Sequence, residues 1–257
     1  MGKVTEREIT TVEINTGVIK FGLVGKTPII LNSMNAKVMQ ELLMPKGRKT
    51  TAEKATTLKH DPIAEFRSSP YTLPEKDAPT LLAHLATAFK RAIASTALDI
   101  PGAKKAQLSR LMWVEGERIP IYGIPKMLMC VTRNSDMGHT PDVRTRCIVP
   151  SWAAVISVRF ASPILKANVI ASLLSAAGMI QGVGDWRPEK GSGTFGQFEV
   201  RDHDDKEMKS IMKIGGRQAQ IDAMKNPEAY DDTTRELLDW FVDEADKRGH
   251  KATGRTV

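Results

Sequence analysis

The chain has 257 residues, 41% of them apolar and 26% charged, globular values that allow one large domain with a substantial core. Lys and Arg number 37 against 30 Asp and Glu, and the formal charge of +7 favours a polyanionic partner. Cys130 and Cys147 form no CxxC and have no neighbouring histidine pair, which excludes a zinc finger or a disulfide framework. No window reaches about 18 uninterrupted apolar residues, so the expectation is a cytoplasmic protein with no membrane partner, cofactor or metal.

Residues 1–10 are polar and read as a flexible or edge segment. From residue 13 to 31 the chain is β-rich, with Val18, Ile19, Phe21, Leu23 and Val24, a turn at 25–28, and Ile29-Ile30-Leu31 leading into Asn32-Ser33-Met34-Asn35. Residues 36–79 change character: Lys46, Arg48, Lys49, Lys54, Lys59 and Arg67 stand among prolines at 45, 62, 70 and 74. The apolar spacing there is too sparse for a core element, which predicts an inserted, basic, partly helical excursion. Pro79 then opens a predicted helix, with Leu81, Leu82, Leu85, Phe89 and Ile93 at helical spacing and a stop at Asp99-Ile100-Pro101-Gly102.

Short strands are predicted over 111–114, 119–122 and 127–131, then a polar loop at 132–141, then clear strands over 143–149 and 154–160. Side chains alternate along a strand, so Arg144 and Arg146 share one face while Val143, Thr145, Cys147 and Val149 share the other. Both cysteines fall in strands as buried thiols. Ser162-Pro163 caps a second predicted helix, whose apolar face is Ile164, Leu165, Val169, Leu173 and Leu174 and which stops at Gly178. Residues 178–200 follow, with six glycines, Trp186, Arg187 and Lys190, and end in an alternating strand. Glycines between an apolar helix and a strand signal close backbone approach, here of a phosphate chain. Helices are predicted over 204–225 and 231–248, the second docking through Leu237, Leu238 and Phe241.

The order strand, helix, strand pair, strand, helix, glycine-rich turn, strand is the split βαβ pattern. It predicts an α+β fold, ferredoxin-like or RRM-like, with an antiparallel sheet, both helices on one face and the other face open to RNA. Residues 1–35 and 80–200 form the expected core, 36–79 the basic inserted segment and 201–257 a C-terminal helical extension.

Gly182-Val183-Gly184-Asp185-Trp186-Arg187, followed by Gly191-Ser192-Gly193-Thr194-Phe195-Gly196, resembles the glycine-rich loop between last helix and last strand in the RAMP superfamily of CRISPR-associated proteins. The first strand's exit, 28–35, and the run 85–93 with Lys90-Arg91 resemble the backbone subunit that coats guide RNA in multisubunit effector complexes. That resemblance implies a ferredoxin-like core and a thumb-like role for 36–79. It also implies single-stranded RNA as ligand, copies of the chain in a filament-like array, and other effector subunits and a target nucleic acid as partners.

The implied RNA-binding residues are Lys46, Arg48, Lys49, Lys54, Lys59, Lys90, Arg144, Arg146, Gly182, Gly184, Trp186, Arg187, Lys190, Gly191 and Gly193. Main-chain N–H groups of the loop and its cations would position phosphates, and Trp186 would stack on a base or cap the core. Arg187 has a local competitor for that role in Glu189 or Asp185. Lys90 and Arg91 splay about 100° apart on a helix, so at most one of them faces the loop's ligand, and Lys90 is preferred.

RAMP-type endoribonucleases use a histidine, for which His60, His84 and His139 are the candidates here, His84 reading as structural. The stretch where metal-dependent subunits carry an aspartate is Asn32-Ser33-Met34-Asn35, without a carboxylate, and no catalytic residue is assigned. Two other readings stand beside RNA coating and RNA cleavage. One is a single-stranded DNA binding or annealing protein; the other is a structural assembly subunit whose basic insertion contacts a neighbouring acidic surface, a reading supported by the acidic segments at 202–207 and 228–246.

Overall fold

The computed structural model describes residues 13–33, 39, 43–44, 60–133, 141–191, 193–202 and 204–249. Its strands are β1 (Asn15–Gly25), β2 (Ile29–Leu31), β3 (Tyr71–Thr72), β4 (Leu82–Leu85), β5 (Met112–Val114), β6 (Arg118–Tyr122), β7 (Lys126–Arg133), β8 (Pro141–Val149), β9 (Ala153–Ser162) and β10 (Phe198–Arg201). Its helices are α1 (Pro62–Ser68), α2 (Ala86–Thr96), α3 (Lys105–Leu111), α4 (Ala167–Ile180), α5 (Lys206–Ile214), α6 (Arg217–Lys225) and α7 (Asp232–Lys247).

Alternation sets the longest pairing. β1 turns Ile19, Phe21 and Leu23 to one side, and β9 turns Ala154, Ile156, Val158 and Phe160 to the same side. The two strands run antiparallel from Asn15 opposite Ser162 to Val24 opposite Ala153. β10 flanks β1, while β5 and β6 share the far side of β9, one against its end and one against its start. The order β10-β1-β9-β6 is therefore antiparallel throughout, with α2 leading from β1 towards β5 and α4 leading from β9 to β10. That is the split βαβ arrangement of an α+β, ferredoxin-like fold.

α2 and α4 pack together on the Phe21–Leu23 face of the sheet, burying Phe89, Ile93, Ile170, Leu173, Leu174 and Ala177. Each large side chain fully buried there contributes ~1.5–3 kcal/mol. The opposite face is partly covered by α5, whose Met208 joins Val24 and Ala153, and partly open around Val18, Lys20 and Arg159. The hairpin of β7 and β8 is inserted between β6 and β9 and pairs with β2 in a second, three-stranded antiparallel sheet. Trp152, fully buried, sits between the sheets: its Nε1 donates to the Thr27 carbonyl at 2.9 Å, and a Cβ on Gly25 would overlap its ring.

Four expectations need correction. The helix expected from Pro79 begins only at Ala86, because 82–85 is strand β4, paired with β6 on one side and β3 on the other. The N–H groups of Leu81 and Leu82 are held by the Gln220 side chain rather than by a helical turn. Residues 60–72 are not bare of core: α1 opens with the Asp61 side chain accepting from Ala64 N, and it buries Ile63 and Phe66 against β8. Ser162 is the last residue of β9 and not a helix cap; α4 starts at Ala167 after an extended Lys166. Finally, the helix expected over 204–225 is split into α5 and α6 at Gly215-Gly216.

Gln220 ties the C-terminal helices to the sheet. Fully buried, it accepts from Leu81 N and Leu82 N through Oε1, and its Nε2 lies within 3.0 Å of the carbonyls of Ile121, Gly123 and Gly215. Arg217 adds bonds to the Leu73 and Thr80 carbonyls, and Arg67 reaches back to those of Met224 and Lys225. β7 is closed by α7, where buried Thr234 accepts from Met129 N.

Candidate nucleic-acid interface

The glycine-rich loop leaves α4 at Gln181 and is folded tightly on itself. Val183 N donates to Gly196 O, Phe195 N to Trp186 O and Gly196 N to Pro28 O, while Asp185 N reaches Ile30 O on β2. Gly182 N and Gly191 N are likewise taken up, by the carbonyls of Ala177 and Pro188. These N–H groups hold the loop's own shape. The glycines follow the same logic: a Cβ on Gly193 would overlap the Trp186 carbonyl, and one on Gly184 would stand 2.7 Å from Ile30 O. Gly182 faces Pro188 and the 195–196 backbone, and Gly191 alone of the four meets open space.

Trp186 is half-buried, with its ring 6.2 Å from that of Phe195. Together with Tyr230 the two rings cover Ile30, Leu128 and Ile148 of the small sheet. The sequence left base and core open for this tryptophan, and its contacts here are with the core. Ile148 shares its face of β8 with Arg144 and Arg146, so the loop lies on the arginine face; that face belongs to the small sheet and not, as expected, to the open side of the ferredoxin-like sheet.

Those arginines are oriented by carboxylates. Arg144 pairs with Asp142 at 3.0 Å, and Arg146 lies 3.8 Å from Asp185 and donates to the Thr145 carbonyl. Arg187 is held by Glu189 at 2.7 Å and by the Gly184 carbonyl at 2.9 Å, the local pairing that competes with a ligand.

Beside the loop a cleft of about 370 Å³ opens at the start of α2, lined by Asn32, Tyr71, His84, Thr87, Ala88 and Arg91 together with residues 182–185, Arg187 and Glu189. Arg91 is the member of the Lys90-Arg91 pair that faces it. Lys90 instead reaches over the Trp113 ring at 5.9 Å, at the edge of the sheet. Asp185 joins the cleft to the arginine face, since its Oδ2 accepts from Asn32 Nδ2 at 2.9 Å and approaches Arg146 from the other side.

His84 is 7% exposed, wedged between Tyr71 and Phe89, and neither ring nitrogen has a hydrogen-bond partner among the described residues. Burial, with a smaller push from the Arg187 guanidinium, lowers its pKa to about 4. An unfolded chain would protonate this ring near 6.5 and the folded one only near 4, so between those values the unfolded chain takes up a proton that the folded one does not, and stability falls as pH drops from 6.5 towards 4. The melting temperature should therefore drop across that window, and His84→Leu should make the drop shallower; an unchanged slope would show that the imidazole is not held neutral.

His60 is engaged on both nitrogens, with Glu65 at 2.7 Å and Asp142 at 2.9 Å, and so braces α1 against β8. The Cys130 thiol is pushed up to about 11 by burial, and burial raises Cys147 further. Lys46, Arg48, Lys49, Lys54, Lys59 and His139, with the side chain of Lys190, lie outside the described residues.

Asn32 and Tyr71 escaped the sequence reading as site residues, and Arg91, which lines the cleft, ranks behind Lys90 in it. The usable signal was the spacing of Thr87, Ala88 and Arg91 along one side of a helix that lacks an N-cap side chain. Among the described residues no group of three or more His, Cys, Asp or Glu is placed to hold a metal, and no described helix is long and apolar enough to cross a membrane.

No family model and no curated protein matches the chain. Among solved structures, Cmr6 from Pyrococcus furiosus is similar over 73% of this chain and 99% of its own, at 14% identity and a TM-score of 0.31. A likeness at that level supports no inference about function, and the fold stands on its own strand order and register.

Proposed function

We propose that this is a non-catalytic RNA-binding protein that coats single-stranded RNA, a guide RNA foremost, as a repeated backbone subunit of a ribonucleoprotein. The observation carrying the reading is the run of Arg146, Asn32, Arg187 and Arg91 around the glycine-rich loop, with Arg144 two residues along the same face of β8. Phosphate-directed guanidiniums position a strand without reading its sequence, which is what a coating subunit requires. Asp142 and Asp185 hold Arg144 and Arg146 in place before the strand arrives, while Arg187 must exchange Glu189 for a phosphate. The formal charge of +7 and the basic segment at 36–59 add long-range attraction.

The direct test is the nucleic acid that copurifies with the protein. RNase-sensitive material protected in regularly spaced lengths is expected, whereas random-length DNA would favour the annealing alternative and no nucleic acid at low salt an assembly role. Replacing Arg91, Arg144 and Arg146 by Gln should weaken binding equally across sequences and reduce the slope of log K against log salt by roughly 0.7 per lost contact on a single strand. An unchanged slope would remove this track from the interface.

A further inference from the structure

We infer that the cleft between the start of α2 and the glycine-rich loop is a phosphate-binding site, with the α2 N-terminus and Arg91 receiving the anion and the His84 ring as its inner donor. The phosphate's source as RNA rests on the function proposed above; the site itself does not.

Two independent features converge on the cleft. The first is an uncapped helix start. α2 has eleven residues, no side-chain cap at Leu85 and no acidic residue in its first turn, so its leading N–H groups carry an unneutralised positive pole. Ala86 N is used by Glu117 O, while Thr87 and Ala88 line the cleft. Oriented N–H groups at such a pole are suited to phosphate oxygens.

The second is His84. A buried polar ring is normally hydrogen-bonded, and leaving one without a partner is unfavourable. Here a neutral imidazole with one N–H and one lone pair lines a cleft in which Arg91 and Arg187 only donate, Asp185 and Glu189 only accept, and Asn32, Tyr71 and Thr87 do both. The groups around it are Tyr71 from β3, Arg91 from α2, and Asp185, Arg187 and Glu189 from the loop; Arg118 of β6 lies over the Tyr71 ring, 5.9 Å from its centroid. Asp185 faces Asn32 and Arg146, and Glu189 faces Arg187, so both carboxylates are turned to cations within the chain. An arriving phosphate would supply the acceptor that His84 lacks.

The same arrangement makes binding proton-linked. The imidazole is neutral in the free chain, and an anion beside it favours the protonated ring. Affinity should therefore rise as pH falls through the raised bound-state pKa of His84 and level off near pH 4, where the free ring is protonated as well. A phosphodiester is the clean probe, because its charge stays fixed where a monoester titrates near pH 6.

The experiment uses the full chain with isotope-labelled histidine and follows the His84 ring by NMR. The probes are a dinucleoside monophosphate, inorganic phosphate, and uridine as a phosphate-free control. A saturable shift of the His84 signals with either phosphate, absent with uridine, is expected. The apparent pKa should climb by a unit or more, and Arg91→Ala should weaken binding roughly tenfold. Response to the dinucleotide assigns the site to internal phosphates, and response to inorganic phosphate alone assigns it to a chain end; either supports the site. Silent His84 signals with both, or equal affinity in Arg91→Ala, overturn it. RNA retained on a filter while His84 stays silent would refute the cleft and leave the RNA-coating function standing. A His84 response in a protein that retains no RNA would do the reverse.

Discussion

Gln220→Leu is expected to lower stability by about 3–5 kcal/mol, although leucine matches glutamine closely in volume. The loss is polar. In the native chain one carboxamide satisfies the N–H groups of Leu81 and Leu82 and approaches the carbonyls of Ile121, Gly123 and Gly215. Leucine would fill the space and leave these backbone groups buried without their partner, and each such group costs ~1–3 kcal/mol when nothing replaces it. At ~2–4 °C per kcal/mol for a chain of this size, the melting temperature should fall by roughly 10 °C. Gln218, exposed on the same helix and bonded to Asp222 within it, is the control; its leucine variant should melt within about 2 °C of the parent. Equal behaviour of the two variants would refute the role given to Gln220.

Gly196→Ala should be the most damaging change in the glycine-rich loop. Its φ of 74° lies in the left-handed region, and an added Cβ would overlap the Val183 carbonyl oxygen. Backbone strain alone costs ~1–2 kcal/mol; the overlap also forces apart the Val183 N to Gly196 O bond that closes the loop. A loss of about 3 kcal/mol and weaker RNA binding should appear together, measured by urea unfolding and filter retention. Gly191 separates the two causes. Its φ is 83°, but a Cβ there meets nothing within 4 Å, so Gly191→Ala should cost only ~1 kcal/mol and leave binding near the parent's. Matching losses at the two positions would show that φ, and not the fit against Val183, sets the cost.

The sequence was most legible where one residue's environment depends on its near neighbours. Alternation placed β1, β8 and β9, including Arg144 and Arg146 on the face opposite Cys147. The succession of elements anticipated the split βαβ order that the register of β1, β9 and β10 displays. It was least legible where distant partners decide. The run Leu81-Leu82-Ala83-His84-Leu85 fits a helix or a buried strand equally by spacing, and what selects the strand is pairing with β6 and a side chain in α6. Phe66 and Ile63 looked isolated among charged residues because their core neighbours lie on β8. In the site, local chemistry pointed to the loop and its cations but not to Arg91 over Lys90. That choice follows from how α2 is rotated against the sheet, which short-range periodicity does not encode. Trp186 and the glycines were conspicuous for a sound reason, tight packing, with the packing partner being the chain itself.

The carboxamide of Gln220 also sets an order of events during synthesis. β4 leaves the ribosome early, yet the groups that hold the Leu81 and Leu82 amides and the Leu73 and Thr80 carbonyls arrive between 137 and 144 residues later. Until then the start of β4 lacks these partners, although β3 and β6, which pair along its two sides, emerge well before α6. This end of the strand thus stays unfinished until α6 emerges, and α6 is the latch that shuts it.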